Sequence, residues 1–377
     1  MQQHRSILAD GQSLKRDLTA YARSLGFDRV GITSAEPFKR EEAFLESWIR
    51  DGRAGEMDYL ERKPALRARP ADLLPGARSV IALAVSYFNN KECIGGSEYG
   101  GIGVTPILRP AYRTGRHSDI PIRSPREGRI ARYAWGKDYH KVIRKRLEAL
   151  VRYIEALAPG EQCRTFVDTG PLLERAVAQR AGLGFVGKNT MLITKGLGSY
   201  VFLASVITTL ELPQDKPDPR SCGACRLCID ACPTQAIMAP HELDARRCIA
   251  YLTIESDKAV DPELLEKTGD WLFGCDICQD VCPHNSRASQ KPMTGPEIDL
   301  AEILTFRTET AFQARFGGTP LARAERHGLL RNACLVAANT GRIDLLPLIQ
   351  NLAENDPHPV VRETAQWAIS QLLILSK

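Results

Sequence analysis

Nothing in the 377-residue sequence stays apolar for the roughly 20 residues that a bilayer-crossing helix needs, so no membrane span is expected. The opening stretch, Met1 to Asp10, is polar and lacks the apolar centre of a secretory signal. Net charge is small as well: 50 Lys and Arg against 45 Asp and Glu leave +5. What excess there is collects in one place, Thr105 to Tyr153, with thirteen Lys/Arg against four Asp/Glu. A solvated surface and a polyanionic partner both account for it. Eleven cysteines would suit an exported disulfide protein, but only Cys93, Cys163 and Cys334 are scattered. Thiols in a ligand pattern without an export signal predict a reducing cytoplasm. The length suffices for two or three domains, each able to bury a core.

Cysteine is present at short, regular spacing. Cys222, Cys225 and Cys228 are followed by Cys232-Pro233; later come Cys248 and then Cys275, Cys278 and Cys282-Pro283. This is the bacterial ferredoxin pattern for two [4Fe–4S] clusters, in which each Cys-Pro cysteine ligates the neighbouring cluster. The expected sets are Cys222, Cys225, Cys228 and Cys282 for cluster one, and Cys232, Cys248, Cys275 and Cys278 for cluster two. Structural zinc also uses C-x2-C pairs, but zinc ribbons pair them without a triple ending in Cys-Pro.

Around this centre the chain reads as three regions: 1–215, a mixed α/β domain; 216–290, a ferredoxin-type domain; and 291–377, helical. Helices are predicted over 13–25, 40–51 (burying Phe44, Leu45, Trp48 and Ile49) and 138–157 (burying Val142, Leu147, Leu150, Val151 and Ile154). Arg62 to Arg69 reads as an arginine-rich loop containing proline. Ser79 to Tyr87 is a continuous apolar run, as of a central strand covered on both faces. Glycines and prolines break 89–126 into a long loop. Thr165 to Asp168 is a short strand ending in a carboxylate, then a turn to a helix over 172–181 with Pro171 at its start, a loop through Lys188 and Asn189, and strands 190–194 and 199–209. A carboxylate there suits a ligand site, as at strand ends of α/β folds, and equally a helix cap. Gly328 to Thr340, Ile343 to Ala353 and Pro359 to Leu373 carry helix-period apolar positions, resembling HEAT-type hairpins that need a neighbour to cover them.

Three groups of residues together resemble the epoxyqueuosine reductase family. They are Arg132 to Lys141 (RYAWGKDYHK), the pair Val167 to Arg175 (VDTGPLLER) and Ala181 to Asn189 (AGLGFVGKN), and the two cysteine runs with Asp244 to Thr253. The resemblance spans nearly the whole chain except 89–126. It implies a multidomain α+β protein: an N-terminal α/β domain holding base-off cobalamin, a domain with two [4Fe–4S] clusters, and a HEAT-like C-terminus. The implied reaction reduces epoxyqueuosine to queuosine at the wobble position of tRNA. Asp168 would be the proton donor, its pKa raised by burial, and Arg67 and Ala131 would meet the corrin, with Lys188 and Asn189 on its amides or nucleotide tail. The sequence has no Asp-x-His-x-x-Gly cobalamin signature, so no histidine is nominated as a lower ligand and His140 is expected to be structural. Implied partners are the tRNA anticodon stem-loop and an external donor such as ferredoxin or flavodoxin, with the chain itself a monomer; from the basic excess, not the resemblance, Arg109, Arg113 and Arg116 are expected to help hold that stem-loop together with the helical C-terminus. The rivals are a reductive dehalogenase-like enzyme on a small molecule, and an electron-transfer ferredoxin with a nucleic-acid-binding tail.

Overall fold

The computed structural model describes residues 11–87, 128–285 and 298–375. The expected loop 89–126, with Arg109, Arg113 and Arg116, lies outside them.

Four strands form the main sheet: β1 (Arg29–Ser34), β2 (Ser79–Ser86), β4 (Cys163–Phe166) and β7 (Val201–Thr208), in the order β1-β2-β7-β4. All three pairings are antiparallel. The α/β expectation for this region is corrected: its layers are those of an α/β domain, but its sheet is not parallel. The apolar run of β2 is buried at every residue because helices cover both faces of a central strand. On one face, helices Gly11–Ser24 and Tyr139–Leu157 pack Leu18, Ile143, Leu147 and Leu150 against Ile81, Leu83 and Val206. On the other, Leu73, Val177 and Ala178 cover Val80, Ala82 and Ile207. Gly31 is required where β1 passes the second layer, since a Cβ there would lie 2.1 Å from the Ala181 carbonyl oxygen.

Several local expectations shift. Phe44 is 48% exposed, and the helix Lys39–Arg50 buries Glu42 instead, which is paired with Arg69 at 2.7 Å. Arg62 to Arg69 is not a plain loop: Pro64–Arg67 is a helical turn, flanked by Asp58–Glu61 and Pro70–Leu73. Ile143 is buried in the core, and Val142 packs half-buried against it. The helix after Asp168 starts at Glu174, not beside Pro171. The stretch before Lys188 contains a strand, β5 (Gly184–Val186), hairpinned to β6 (Leu192–Thr194).

Strand β3 (Arg129–Ile130) leaves the main sheet and pairs in parallel with β10 (Trp271–Phe273), just before Cys275. A smaller hairpin, β8 (Ile237–Ala239) with β9 (Glu242–Leu243), follows the first cysteine run. The cores cross the expected domain boundaries: Ile130, Ala134 and Trp135 share one with Leu272 and Phe273 and with the C-terminal helices. Those helices are Glu325–Asn339, Leu346–Asn355 and Pro359–Leu375. The first is buried over most of its length, which meets the need for a covered face.

Buried polar contacts fix this junction. Asn332 donates to the carbonyls of Thr253 (2.8 Å) and Leu272 (2.9 Å). Asn332→Ala strands both acceptors and is expected to cost about 2–3 kcal/mol, read as a lower urea midpoint. An unchanged midpoint would contradict the clamp.

Candidate active site and cysteine clusters

Asp168 follows the edge strand β4, so the strand-end site of a parallel sheet is not what places it. Tight turns do. Thr169 N–H donates to Val167 O at 2.6 Å and Leu172 N–H to Gly170 O at 2.9 Å. Asp168 itself adopts φ +54°, the left-handed region few non-glycine residues occupy. The capping role is overturned: the residue before the helix Glu174–Arg180 is Leu173, with no side-chain cap. Instead, Tyr139 Oη donates to Asp168 Oδ2 at 2.7 Å, and His140 Nε2 lies 3.3 Å from the same oxygen. Asp138 caps the Tyr139–Leu157 helix through the His140 amide and holds His140 Nδ1 at 2.7 Å. His140, expected to be structural, therefore faces the carboxylate. The cap residue in Asp138-Tyr-His140 is the sequence signal that both side chains project from one helix start.

The expectation that burial raises the Asp168 pKa is corrected. Its side chain is 63% exposed, and the His140 imidazole with the Tyr139 hydroxyl holds it below the usual carboxylate range. His140 moves upward: burial opposes its charge, but Asp168 and Asp138 outweigh that. Both shifts favour the charged forms of the two side chains. Beneath Asp168 lies a second carboxyl. Glu174 Oε2 accepts from the Asp168 amide at 2.9 Å while its Oε1 is buried without a partner. Burial, and then the Asp168 charge, pushes Glu174 up to about 8.

The opposite wall comes from far along the chain. Arg67 donates to Tyr59 O at 2.7 Å, and its Nε is buried with no partner. Arg323 grips Glu255 at 2.8 and 3.2 Å. Burial pushes the Tyr59 phenol up to about 12, with the charges of Glu255 and Asp168 adding to it and those of Arg323 and Arg67 opposing. Ala131 is buried, its amide bonded to Phe273 O at 2.8 Å. A Cβ on Gly274 would stand 2.6 Å from the Ala131 methyl, so Ala131 abuts the residue before Cys275.

The thiols fall into two groups. Besides burial, Cys228 is raised, to about 11, by Cys222, Cys282 and Cys225. Cys282 is raised by burial and by Cys222 and Cys225. One pocket is lined by Cys222, Cys225, Cys228 and Cys282. In the other group Cys275 is raised by burial, Cys278 and Cys248, and Cys248 by burial and Cys232. Cys278 stands between the groups, in the field of Cys248, Cys228 and Cys232. Lys188 and Asn189, expected on the corrin, are engaged here. Lys188 Nζ donates to Gly223 O (2.7 Å) and Cys225 O (2.9 Å), and Asn189 donates to Cys278 O at 3.3 Å.

Arg132 joins the site to the second cysteine run. Its Nη1 donates to Tyr200 Oη (3.0 Å), Asp276 Oδ2 (3.1 Å) and Asp280 Oδ1 (2.5 Å). Arg129 is near Asp270 and stacks 4.1 Å from the Trp271 ring. Part of the basic excess before Tyr153 is thus spent inside the fold.

The Asp168–His140 contact is testable by titration. With the carboxylate in place the imidazole titrates above 6.5, and its ion pair is present below that raised value and lost as pH rises through it. In Asp168→Asn the His140 pKa, followed by NMR, is expected to fall. An unchanged value would show that the two do not interact.

Two family models match the chain: epoxyqueuosine reductase QueG, DUF1730, over residues 67–169, and a 4Fe-4S double cluster binding domain over 221–285. A relative from Xanthomonas campestris named epoxyqueuosine reductase is 38% identical over 93% of this chain and 94% of its own. One from Pseudomonas aeruginosa, of the same name, is 37% identical over 96% and 95%. Two solved structures align over 96% of this chain and 91% of theirs at 33% identity and TM-score 0.80. One is an epoxyqueuosine reductase with an epoxyqueuosine-modified tRNA-Tyr stem loop. The other, from Bacillus subtilis, has its catalytic aspartate loop swung out of the active site. At this identity over more than nine-tenths of both sequences, the chain belongs to the epoxyqueuosine reductase family.

Proposed function

We propose that this chain reduces epoxyqueuosine at the tRNA wobble position to queuosine, using cobalamin and two [4Fe–4S] clusters. The observation that carries the reading is the setting of Asp168: a partly exposed carboxylate bonded by Tyr139 and approached by His140, in a chain related along its length to epoxyqueuosine reductases. Turning an epoxide into an alkene takes two electrons and two protons and releases the oxygen as water. Cobalamin, when bound, supplies a centre that stores electrons arriving one at a time from the clusters.

The chain's own residues do the rest. Asp168 stands at the epoxide oxygen and passes it a proton drawn from His140, with Tyr139 orienting the carboxylate. Arg67 would help hold the corrin, for which its unpartnered, buried Nε speaks. Ala131 keeps the wall beside Gly274 small. Lys188 and Asn189 hold the two cysteine loops in register rather than touching the corrin. Cluster one would take Cys222, Cys225, Cys228 and Cys282, and cluster two Cys232, Cys248, Cys275 and Cys278; the grouping of the thiols supports both sets. The first run is the more exposed and suits electron entry from a ferredoxin- or flavodoxin-like donor, while the second adjoins Ala131. The RNA base must leave its stack to enter the cleft. The hairpin of Leu346–Asn355 and Pro359–Leu375 supports a HEAT-like reading of the C-terminal region. A full-length relationship to epoxyqueuosine reductases favours this function over a dehalogenase or a plain ferredoxin.

Asp168→Asn is expected to keep its iron and cobalamin while turnover of epoxyqueuosine tRNA falls roughly 10²-fold, the usual worth of a general acid. Normal turnover would move the proton donor elsewhere. Cys282→Ala should remove the cluster held by the first run and spare that of Cys275 and Cys278, as EPR of the reconstituted protein would report. Loss of the second cluster instead would reverse the ligand sets.

A further inference from the structure

Asp168 sits in a backbone conformation that needs holding. Its φ of +54° is one an L-residue leaves readily, and the turn around it is short on both sides. Gly170 folds back so closely that a Cβ there would come within 2.3 Å of the Phe166 ring. Beyond the loop lies a cavity of about 220 Å³, lined by Arg144, Arg164, Thr169, Gly170 and Pro171. The loop therefore has space to move into.

One side chain opposes that movement. Glu174 Oε2 accepts the Asp168 amide at 2.9 Å. Its Oε1 is buried with no partner, so no other hydrogen bond accounts for this carboxyl's position. The helix that carries Glu174 is itself anchored, since Leu173 N–H donates to Arg67 O at 3.0 Å.

We propose that Glu174 is the latch that keeps the Asp168 loop in its working position, a positioning residue acting through the Asp168 amide. The inference rests on the reading of Asp168 as the proton donor. Charged or titratable groups facing Glu174 are Asp168 on the loop, Arg175 on its own helix and Tyr139 on the neighbouring one. The latch does not depend on ionisation, because a protonated carboxyl, or an amide, still accepts through its carbonyl oxygen. This separates a latch from an acid.

The test compares Glu174→Gln, Glu174→Ala and Glu174→Asp with the parent, as reconstituted enzyme, by hydrogen exchange of the 166–171 segment and by steady-state kinetics on epoxyqueuosine tRNA. Glu174→Ala should speed exchange roughly tenfold, the worth of one hydrogen bond, and lower kcat while KM for tRNA stays put. Glu174→Gln should restore both. Glu174→Asp keeps the charge but is one methylene short of the amide, and should behave like the alanine variant; it decides the matter if alanine fails to fold. Parent-like exchange and kcat in Glu174→Asp or Glu174→Ala would overturn the latch. So would a glutamine variant with protected amides and a collapsed kcat, which would make Glu174 a proton source. If the parent itself does not convert the tRNA, the proposed function falls while the exchange arm still decides the latch.

Discussion

The site depends on one largely buried ionic junction. Arg132 is held between Asp276 and Asp280 of the second cysteine run and Tyr200, next to the main sheet. Burial opposes its charge, but the two carboxylates more than offset that. Its own amide also donates to Asp276 Oδ2, at 2.8 Å. Such a pair adds little net stability over an apolar substitute, yet breaking one side leaves a buried charge, which is severe. What it provides is register. Arg132 begins the segment that ends in Tyr139 and His140, so its anchor sets the distance from the cysteine loops to the Asp168 carboxylate.

Asp168 is partly open to solvent and held by its neighbours Tyr139 and His140. Burying Asp168 would have raised its pKa at the cost of access for a bulky RNA substrate. An exposed carboxylate beside an imidazole keeps access, and each favours the other's charged form. The Asp168 amide is held separately, by Glu174, so that side-chain contacts and backbone geometry are assigned to different groups.

The double-cluster domain was legible in the sequence because each cysteine run is a close, regular spacing along one loop. The position of Asp168 after a short strand was legible too. Its partners were not, because Tyr139 and His140 lie 29 and 28 residues away and approach across a helix start. The β2 run reads the same whether its neighbours are parallel or antiparallel, since helices cover both faces either way. Phe44 was misplaced because helical periodicity registers apolar residues and cannot see that Arg69, 27 residues on, holds Glu42 on the inner side. Lys188 and Asn189 follow a glycine-rich turn, a pattern that serves a loop clamp as well as a ligand site.

The proposal to be tested is that this chain, with cobalamin and two [4Fe–4S] clusters bound, reduces epoxyqueuosine in tRNA to queuosine. The direct measurement is nucleoside mass spectrometry of tRNA from a strain lacking the last queuosine step, incubated anaerobically with reconstituted protein and a one-electron reductant, with and without cobalamin. Conversion of epoxyqueuosine to queuosine only when cobalamin is present is the predicted result. Equal conversion by the clusters alone, or none in the complete mixture, would contradict the account.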